Sequence, residues 1–324
     1  MYPADVSQDR PLDVFMAHMD VVFSDETELP LRVEDGRIYC PGVGDDTACL
    51  VCLLLAGKYI ARHVDSPSWR EIRGEDAPGL LLVCNAGEEG LGNLKGVRKI
   101  CEDYGGRIKS FCTFDSSLSS IVDRAVGSKR FRVKVRTRGG HSYNDFGNDN
   151  AIAGLASLVG KLYKIQVPEG GKTTYNVGMI SGGTSVNTIA QEAEMLYEFR
   201  SDKRENLEYM ERQFMEVLDR AKAEGMDVSF QVIGVRPCEG QVDPAQKQAL
   251  TDWAHRVVEE MTGQAPKHHA GSTDCNIPLS LGIPSVCVGS FRGAGAHTKE
   301  EYVETDSLEE GYKVAFGMIF GRRD

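Results

Sequence analysis

Acids and histidines able to do chemistry recur along this chain, each in a short apolar or glycine-rich context. They are His18 and Asp20 in MAHMDVV, Asp45-Asp46 in PGVGDDTAC, Glu88-Glu89 in VCNAGEEGLG, Asp115 in FCTFDSS and His297 in GAGAHTKEE. A carboxylate at the end of an apolar run is costly to bury, so it commonly serves a cation or a reaction. Together these sites offer mixed nitrogen and oxygen ligands, a carboxylate able to bridge, and open positions for water. That is the donor set of a two-metal hydrolase.

Each stretch also has a plainer reading. His18 and Asp20 stand two apart in a strand-like run, so both project from one face. The pair suits a metal-bound histidine oriented by an acid; a satisfied core histidine is the competing reading. Asp45 and Asp46 follow two glycines, and adjacent like charges repel unless a cation or donors compensate. A turn capping the next helix would favour Asp equally. Glu88-Glu89 follows a seven-residue apolar run, where one glutamate can bind metal and its neighbour can move a proton. A helix amino-terminus that favours acids is the alternative. Cys49 and Cys52 form a CxxC at helical spacing with no partner pair, and read as small buried hydrophobes. His268 and His269 read as exposed loop residues, not ligands.

The elements that must position these groups are legible as pattern. LDVFMAHM (residues 12–19), LLLVCNA (80–86) and SFCTFD (110–115) are short buried strands delivering His18, the glutamate pair and Asp115 at their carboxyl ends. The stretch 46–62 reads as a helix entered from PGVGDD. Strands alternating with helices, with active residues at strand ends, describe an α/β sheet whose site lies along its carboxyl edge. After Asp123 the character changes. KRFRVKVRTRGG alternates charged and apolar residues like a half-exposed antiparallel strand. A helix over about 150–165, strands in TTYNVGMISGG and EAEMLYEFRSD, a charged amphipathic helix and the strand VSFQVIGVRP complete a β-α-β-β-α-β order, which is ferredoxin-like. The expected plan is a catalytic domain over 1–124 and 237–324, interrupted by a smaller domain over 125–236.

Bulk properties narrow the partners. The net charge of −11 over 324 residues argues against nucleic acid and against an anionic membrane surface. The longest apolar run, ACLVCLLLAG, is too short to span a bilayer. The polar opening MYPADVSQDRPLD lacks the apolar core of a signal peptide. Nine scattered cysteines, an odd number, read as reduced thiols rather than a disulfide framework, so the cytoplasm is the expected address.

The order and surroundings of HMDVV, GVGDD, GEEGLG, GGHSYNDFGNDNAI and SGGTSVNTIAQEAEMLYEFRSD resemble a family of di-zinc hydrolases. That family includes acetylornithine deacetylase, succinyl-diaminopimelate desuccinylase, aminoacylase, glutamate carboxypeptidase and tripeptidase T. The resemblance covers nearly the whole chain. It implies a zinc-exopeptidase-like catalytic domain with a central mixed sheet, an inserted ferredoxin-like domain for dimerisation, and two zinc ions, replaceable by cobalt or manganese. Asp45 then resembles the bridging carboxylate, His18 and Asp115 the remaining ligands of one zinc, and Glu89 and His297 those of the other. Glu88 resembles the general base and Asp20 the acid supporting His18. His141 resembles a histidine that reaches across a dimer to the partner's oxyanion; a surface-loop histidine is the plainer reading. Asn187 and Arg200 resemble substrate contacts. Thr273 and Asp274 resemble a substrate-side loop or else form a structural turn. Family members usually carry a helix and a strand before the HxD motif, so the resemblance leaves open a shorter variant or a start downstream of the true one.

The expected activity is therefore hydrolysis of an amide bond in a di- or tripeptide by a cytosolic homodimer. N-acyl amino acid deacylation is the alternative, and a catalytically silent ligand-binding dimer is an alternative of another class. The dimer would form through the inserted domain, for which KRFRVKVRT is a candidate free edge.

Overall fold

The computed structural model describes residues 9–24, 27–63, 66 and 77–321. In chain order the elements are β1 (Leu12–His18), β2 (Arg32–Glu34), β3 (Arg37–Tyr39), α1 (Cys49–His63), β4 (Gly79–Asn85), α2 (Lys95–Tyr104), β5 (Ile108–Phe114) and β6 (Ser120–Ala125). There follow β7 (Gly127–Arg136), β8 (Gly140–His141), α3 (Ala151–Leu162), β9 (Thr173–Gly182), β10 (Thr188–Ile189), β11 (Glu192–Ser201), α4 (Arg204–Ala223) and β12 (Asp227–Arg236). The last are α5 (Pro244–Thr262), β13 (Lys267–Gly271), α6 (Asn276–Ser280), β14 (Ser285–Val288), β15 (Gly293–Ala294), β16 (Tyr302–Glu304) and α7 (Ser307–Phe320). The chain divides into two compact units, one running to Ala125 and resuming at Glu239, the other spanning Val126–Cys238.

The first unit is built on a six-stranded mixed sheet of order β13-β6-β14-β5-β1-β4. Strands β4, β1, β5 and β14 run parallel, while β6 is antiparallel to β14. Every residue of β1 is buried because both its faces are covered. Phe15 and Ala17 join a cluster with α1, α5 and α7, whereas Leu12, Val14 and Met16 pack with Leu94 and residues of α2 and α6. Fully burying side chains of this size contributes roughly 1.5–3 kcal/mol each. The three parallel strands β4, β1 and β5 are direct neighbours, so their carboxyl ends emerge side by side.

Short segments the pattern did not reveal add a second sheet of order β15-β16-β3-β2. Its two- and three-residue strands are too brief for periodicity to show. The helix expected from Asp46 begins instead at Cys49, because Asp45 and Asp46 have non-helical backbone angles. His268 and His269 are exposed, but they lie on β13, which pairs with β6, rather than in a loop.

The second unit carries a four-stranded antiparallel sheet of order β12-β7-β11-β9 with helices α3 and α4. Phe131, Val133 and Val135 of β7 and Met195, Tyr197 and Phe199 of β11 form its core with Leu155 and Leu158 of α3 and Phe214 and Leu218 of α4. The alternate charged residues of β7 meet acids directly opposite on β11: Arg130 with Glu198, Lys134 with Glu194 and Arg136 with Glu192, at 3.1–3.2 Å. Such cross-strand pairs contribute about 0.2–1 kcal/mol each. The expectation that KRFRVKVRT offers a free edge is overturned. This strand is β7, central to the sheet, and its backbone ladders are taken by β11 and β12. The outermost strands are β9 and β12.

Candidate metal centre

His18 is the last residue of β1, the Glu88-Glu89 pair lies just past β4, and Asp115 directly follows β5. Three adjacent parallel strands thus set these groups at one edge of the sheet, where open α/β sheets bind their ligands. Asp45 and Asp46 arrive from the turn before α1, and His297 from the loop between β15 and β16.

Asp45 lies at the centre. Its Oδ1 is 3.0 Å from His18 Nε2, and its Oδ2 is 3.1 Å from His297 Nε2. His297 Nε2 is also 3.2 Å from Glu89 Oε1, and His18 Nε2 is 4.0 Å from Asp115 Oδ1. His18 is buried, and its ring Nδ1 lies 2.9 Å from the Asp20 carbonyl oxygen. With Nδ1–H donating there, Nε2 is the nitrogen left for a ligand. The Asp20 carboxylate is farther from the ring, at 3.7 Å. It accepts instead from the backbone N–H groups of Gly87, Glu88 and Glu89. Asp46 is buried and accepts from the His18 backbone N–H at 2.9 Å.

The electrostatics of these side chains reflect this crowding. Burial opposes a charge on His18, but the hydrogen bond to Asp45 and the fields of Asp46, Asp115 and Glu88 raise its pKa to about 11. Burial and the neighbouring Asp45 and Glu88 raise Glu89 to about 7. Burial, reinforced by nearby acids, also holds Asp115 and Asp46 above the ordinary carboxylate range. Asp45 moves the other way: burial is outweighed by its hydrogen bonds and charge pairing with His18 and His297.

A family model described as peptidase family M20/M25/M40 matches residues 14–320, nearly all of the described chain. The chain belongs to peptidase family M20/M25/M40. As a member of this family it is a metal-dependent hydrolase. Curated M20/M25/M40 relatives include an acetylornithine deacetylase of Myxococcus xanthus, 24% identical over 86% of this chain and 71% of the relative. A succinyl-diaminopimelate desuccinylase of Nitrosomonas eutropha is 24% identical over 93% of this chain and 80% of the relative. Among solved structures, aminopeptidase PepT of Bacillus cereus is similar in fold, with a TM-score of 0.69 and 22% identity over 97% of this chain and 82% of PepT.

The donor set of this M20/M25/M40 chain fits bound divalent cations. Among the described residues, three groups place ligand atoms within 4.8 Å of one another: His18, Glu88 and Glu89; His18, Asp46 and Asp115; and Asp45, Glu89 and His297. Five carboxylates converge on two imidazoles, an excess of negative charge that cations would compensate.

The remaining sequence candidates are placed as follows. His141 and Asn187 come together in the second unit, where the β8–β10 ribbon pairs His141 with Thr188 and Ser142 N–H donates to the Asn187 carbonyl. His141 is exposed, and its Nδ1 accepts from the backbone N–H groups of Tyr143 and Asn144, leaving Nε2 to carry the outward proton. Arg200 lies near the far end of β11 and donates to both oxygens of Glu198. Thr273 and Asp274 are buried, with Asn85 Nδ2 donating to Asp274 at 2.7 Å, so they form the structural turn.

One residue was missed altogether. Glu301 is buried beneath the Asp45 turn and accepts from the backbone N–H groups of Gly42, Gly44 and Asp45. Its only mark in the sequence is its place four residues after His297.

Proposed function

We propose that this chain hydrolyses the amide bond of a di- or tripeptide, with His18, Asp45 and Asp115 holding one zinc ion and Asp45, Glu89 and His297 the other. The observation that carries the reading is Asp45, whose two oxygens each face a different histidine at 3.0 and 3.1 Å. A carboxylate so shared is suited to bridge two ions. Such cations, held by these residues, would supply polarisation of the scissile carbonyl and easier ionisation of water, and cobalt or manganese would suit the same donors. Glu88 takes a proton from the attacking water and returns it to the departing amine. Asp20 holds the backbone that carries Glu88 and Glu89. The His141 Nε2–H stabilises the oxyanion of the partner subunit's substrate, and Asn187 and Arg200 contact substrate.

A cavity of about 300 Å³ adjoins Asp45 and Asp115, bounded by Ser116, Ser117, Phe291 and the Gly293–Ala296 loop. Among its described lining residues there is no lysine, arginine or histidine to pair with an acyl carboxylate. N-acyl amino acid deacylation is the second reading, favoured by the two curated relatives named for deacylation.

The inserted domain, residues 125–236, serves as the dimerisation and lid domain in this reading. Its open edge β9 exposes Met179 and Ile180, suited to pairing with a second copy. No helix among the described residues is long and apolar enough to cross a membrane. All nine cysteines are free thiols, which supports a reducing, cytoplasmic setting. The deciding experiment is a panel of di- and tripeptides and N-acyl amino acids, assayed by mass spectrometry with zinc-, cobalt- and manganese-loaded protein. Peptide cleavage absent from Glu88→Gln supports the reading; cleavage of N-acyl amino acids alone transfers it to deacylation.

A further inference from the structure

We propose that Glu301 is a positioning residue that sets the bridging geometry of Asp45 from behind, through the backbone. The inference rests on reading Asp45 as a metal ligand. Glu301 Oε1 accepts from Gly44 N–H at 2.9 Å and from Asp45 N–H at 2.8 Å, while Oε2 accepts from Gly42 N–H at 2.6 Å. At 2% exposure, this carboxylate finds its hydrogen bonds in the turn rather than in water.

The sequence around it makes the approach possible. Gly42 has a φ of 78°, in the left-handed region, and a Cβ at Gly44 would meet Phe291 at 2.7 Å and Glu301 Oε1 at 3.1 Å. Two glycines therefore let the turn lie directly on the carboxylate. Glu301 is tied in turn: its carbonyl accepts from Cys40 N–H at 3.1 Å and its N–H donates to the Thr298 carbonyl at 3.4 Å. One short loop thus acts on Asp45 twice. His297 meets the side chain at Oδ2, and Glu301 holds the peptide from which that side chain springs.

A displaced Asp45 would mis-set both ions at once. Loss of Glu301 is therefore expected to appear as altered metal coordination and a lowered kcat, with KM little changed. Three donors converge on two oxygens, so the carboxylate is needed chemically as well as sterically. In Glu301→Gln one oxygen is replaced by an NH2 group that faces N–H donors.

The test compares wild type, Glu301→Gln, Glu301→Asp and Asp45→Asn by cobalt affinity, from chelator competition, and by the cobalt d–d spectrum, after circular dichroism has shown each folded. Glu301→Gln is expected to weaken cobalt binding about tenfold or more and to change the spectrum. Glu301→Asp, which keeps the charge on a shorter arm, should fall between it and wild type. Wild-type affinity and spectrum in Glu301→Gln would overturn the inference while leaving Asp45 a ligand. Unchanged cobalt affinity in Asp45→Asn would overturn the ligand reading itself. Hydrogen exchange on metal-free wild type needs no variant to fold: the amides of Gly42, Gly44 and Asp45 should be protected, and rapid exchange there refutes the proposal.

Discussion

Asp20 Oδ2 accepts a hydrogen bond from the backbone N–H of Glu89 at 3.0 Å. The Asp20 Oδ1 atom takes the N–H groups of Gly87 and Glu88. The residue two beyond His18 thus fixes the loop leaving the neighbouring strand β4. Asp20→Ala leaves these donors without their acceptor and is expected to lower metal affinity or activity about 10–100-fold. Asp20→Asn, which retains one oxygen acceptor, should lose less. Chelator competition and kcat/KM measure both, and wild-type values in Asp20→Ala would remove Asp20 from the site.

Glu88→Gln conserves volume in a buried position but cannot carry the proton. The expected loss in kcat is about 10²–10⁴-fold, with metal content and melting temperature near wild type. Metal analysis beside steady-state kinetics separates this outcome from loss of the ions, which would reassign Glu88 as a ligand.

Chelation should abolish activity and leave a protein whose stability falls as pH rises from about 5 to 9. His18, raised from 6.5 to about 11, contributes stability that is full below 6.5 and lost as pH climbs through 11. Glu89, raised from 4.5 to about 7, acts in the same direction: its ionisation in the folded state carries a cost that grows from pH 4.5 to 7. Bound cations reverse this balance, and zinc at a hundredfold over its Kd should add about 2.7 kcal/mol. Melting curves across pH with and without zinc test it; a metal-free protein that stabilises steadily over that range would contradict the crowding of charge.

With His141 Nε2–H proposed to stabilise the oxyanion, His141→Ala should lower kcat about 10²–10³-fold with little change in KM. If His141 acts across a dimer, mixing His141→Ala with Glu88→Gln builds heterodimers with one intact site. An equal, fully exchanged mixture should recover about a quarter of wild-type activity. Recovery near zero, with subunit exchange verified by mass, would place His141 in its own subunit's site or outside catalysis.

Buried strands were readable in the sequence because a strand covered on both faces is mostly apolar, as LDVFMAH and SFCTF are apart from Asp13, His18, Ser110 and Thr113. The antiparallel strands of the second unit were readable because charged and apolar residues alternate with period two on β7 and β11. Local pattern could not say which strand lies at an edge. Backbone pairing is made with segments far away in sequence, and it places β7 between β11 and β12. Residue type marked Asp20 and Asp45 as chemical, but only the tertiary structure showed Asp20 binding the glutamate loop as well as lying 3.7 Å from the His18 ring. The same holds for Glu301, one acid among 48 acidic residues until folding carries it under Gly42, Gly44 and Asp45. Periodicity reports the face a side chain turns to; the identity of the backbone it meets is decided by contacts across more than 250 residues of chain.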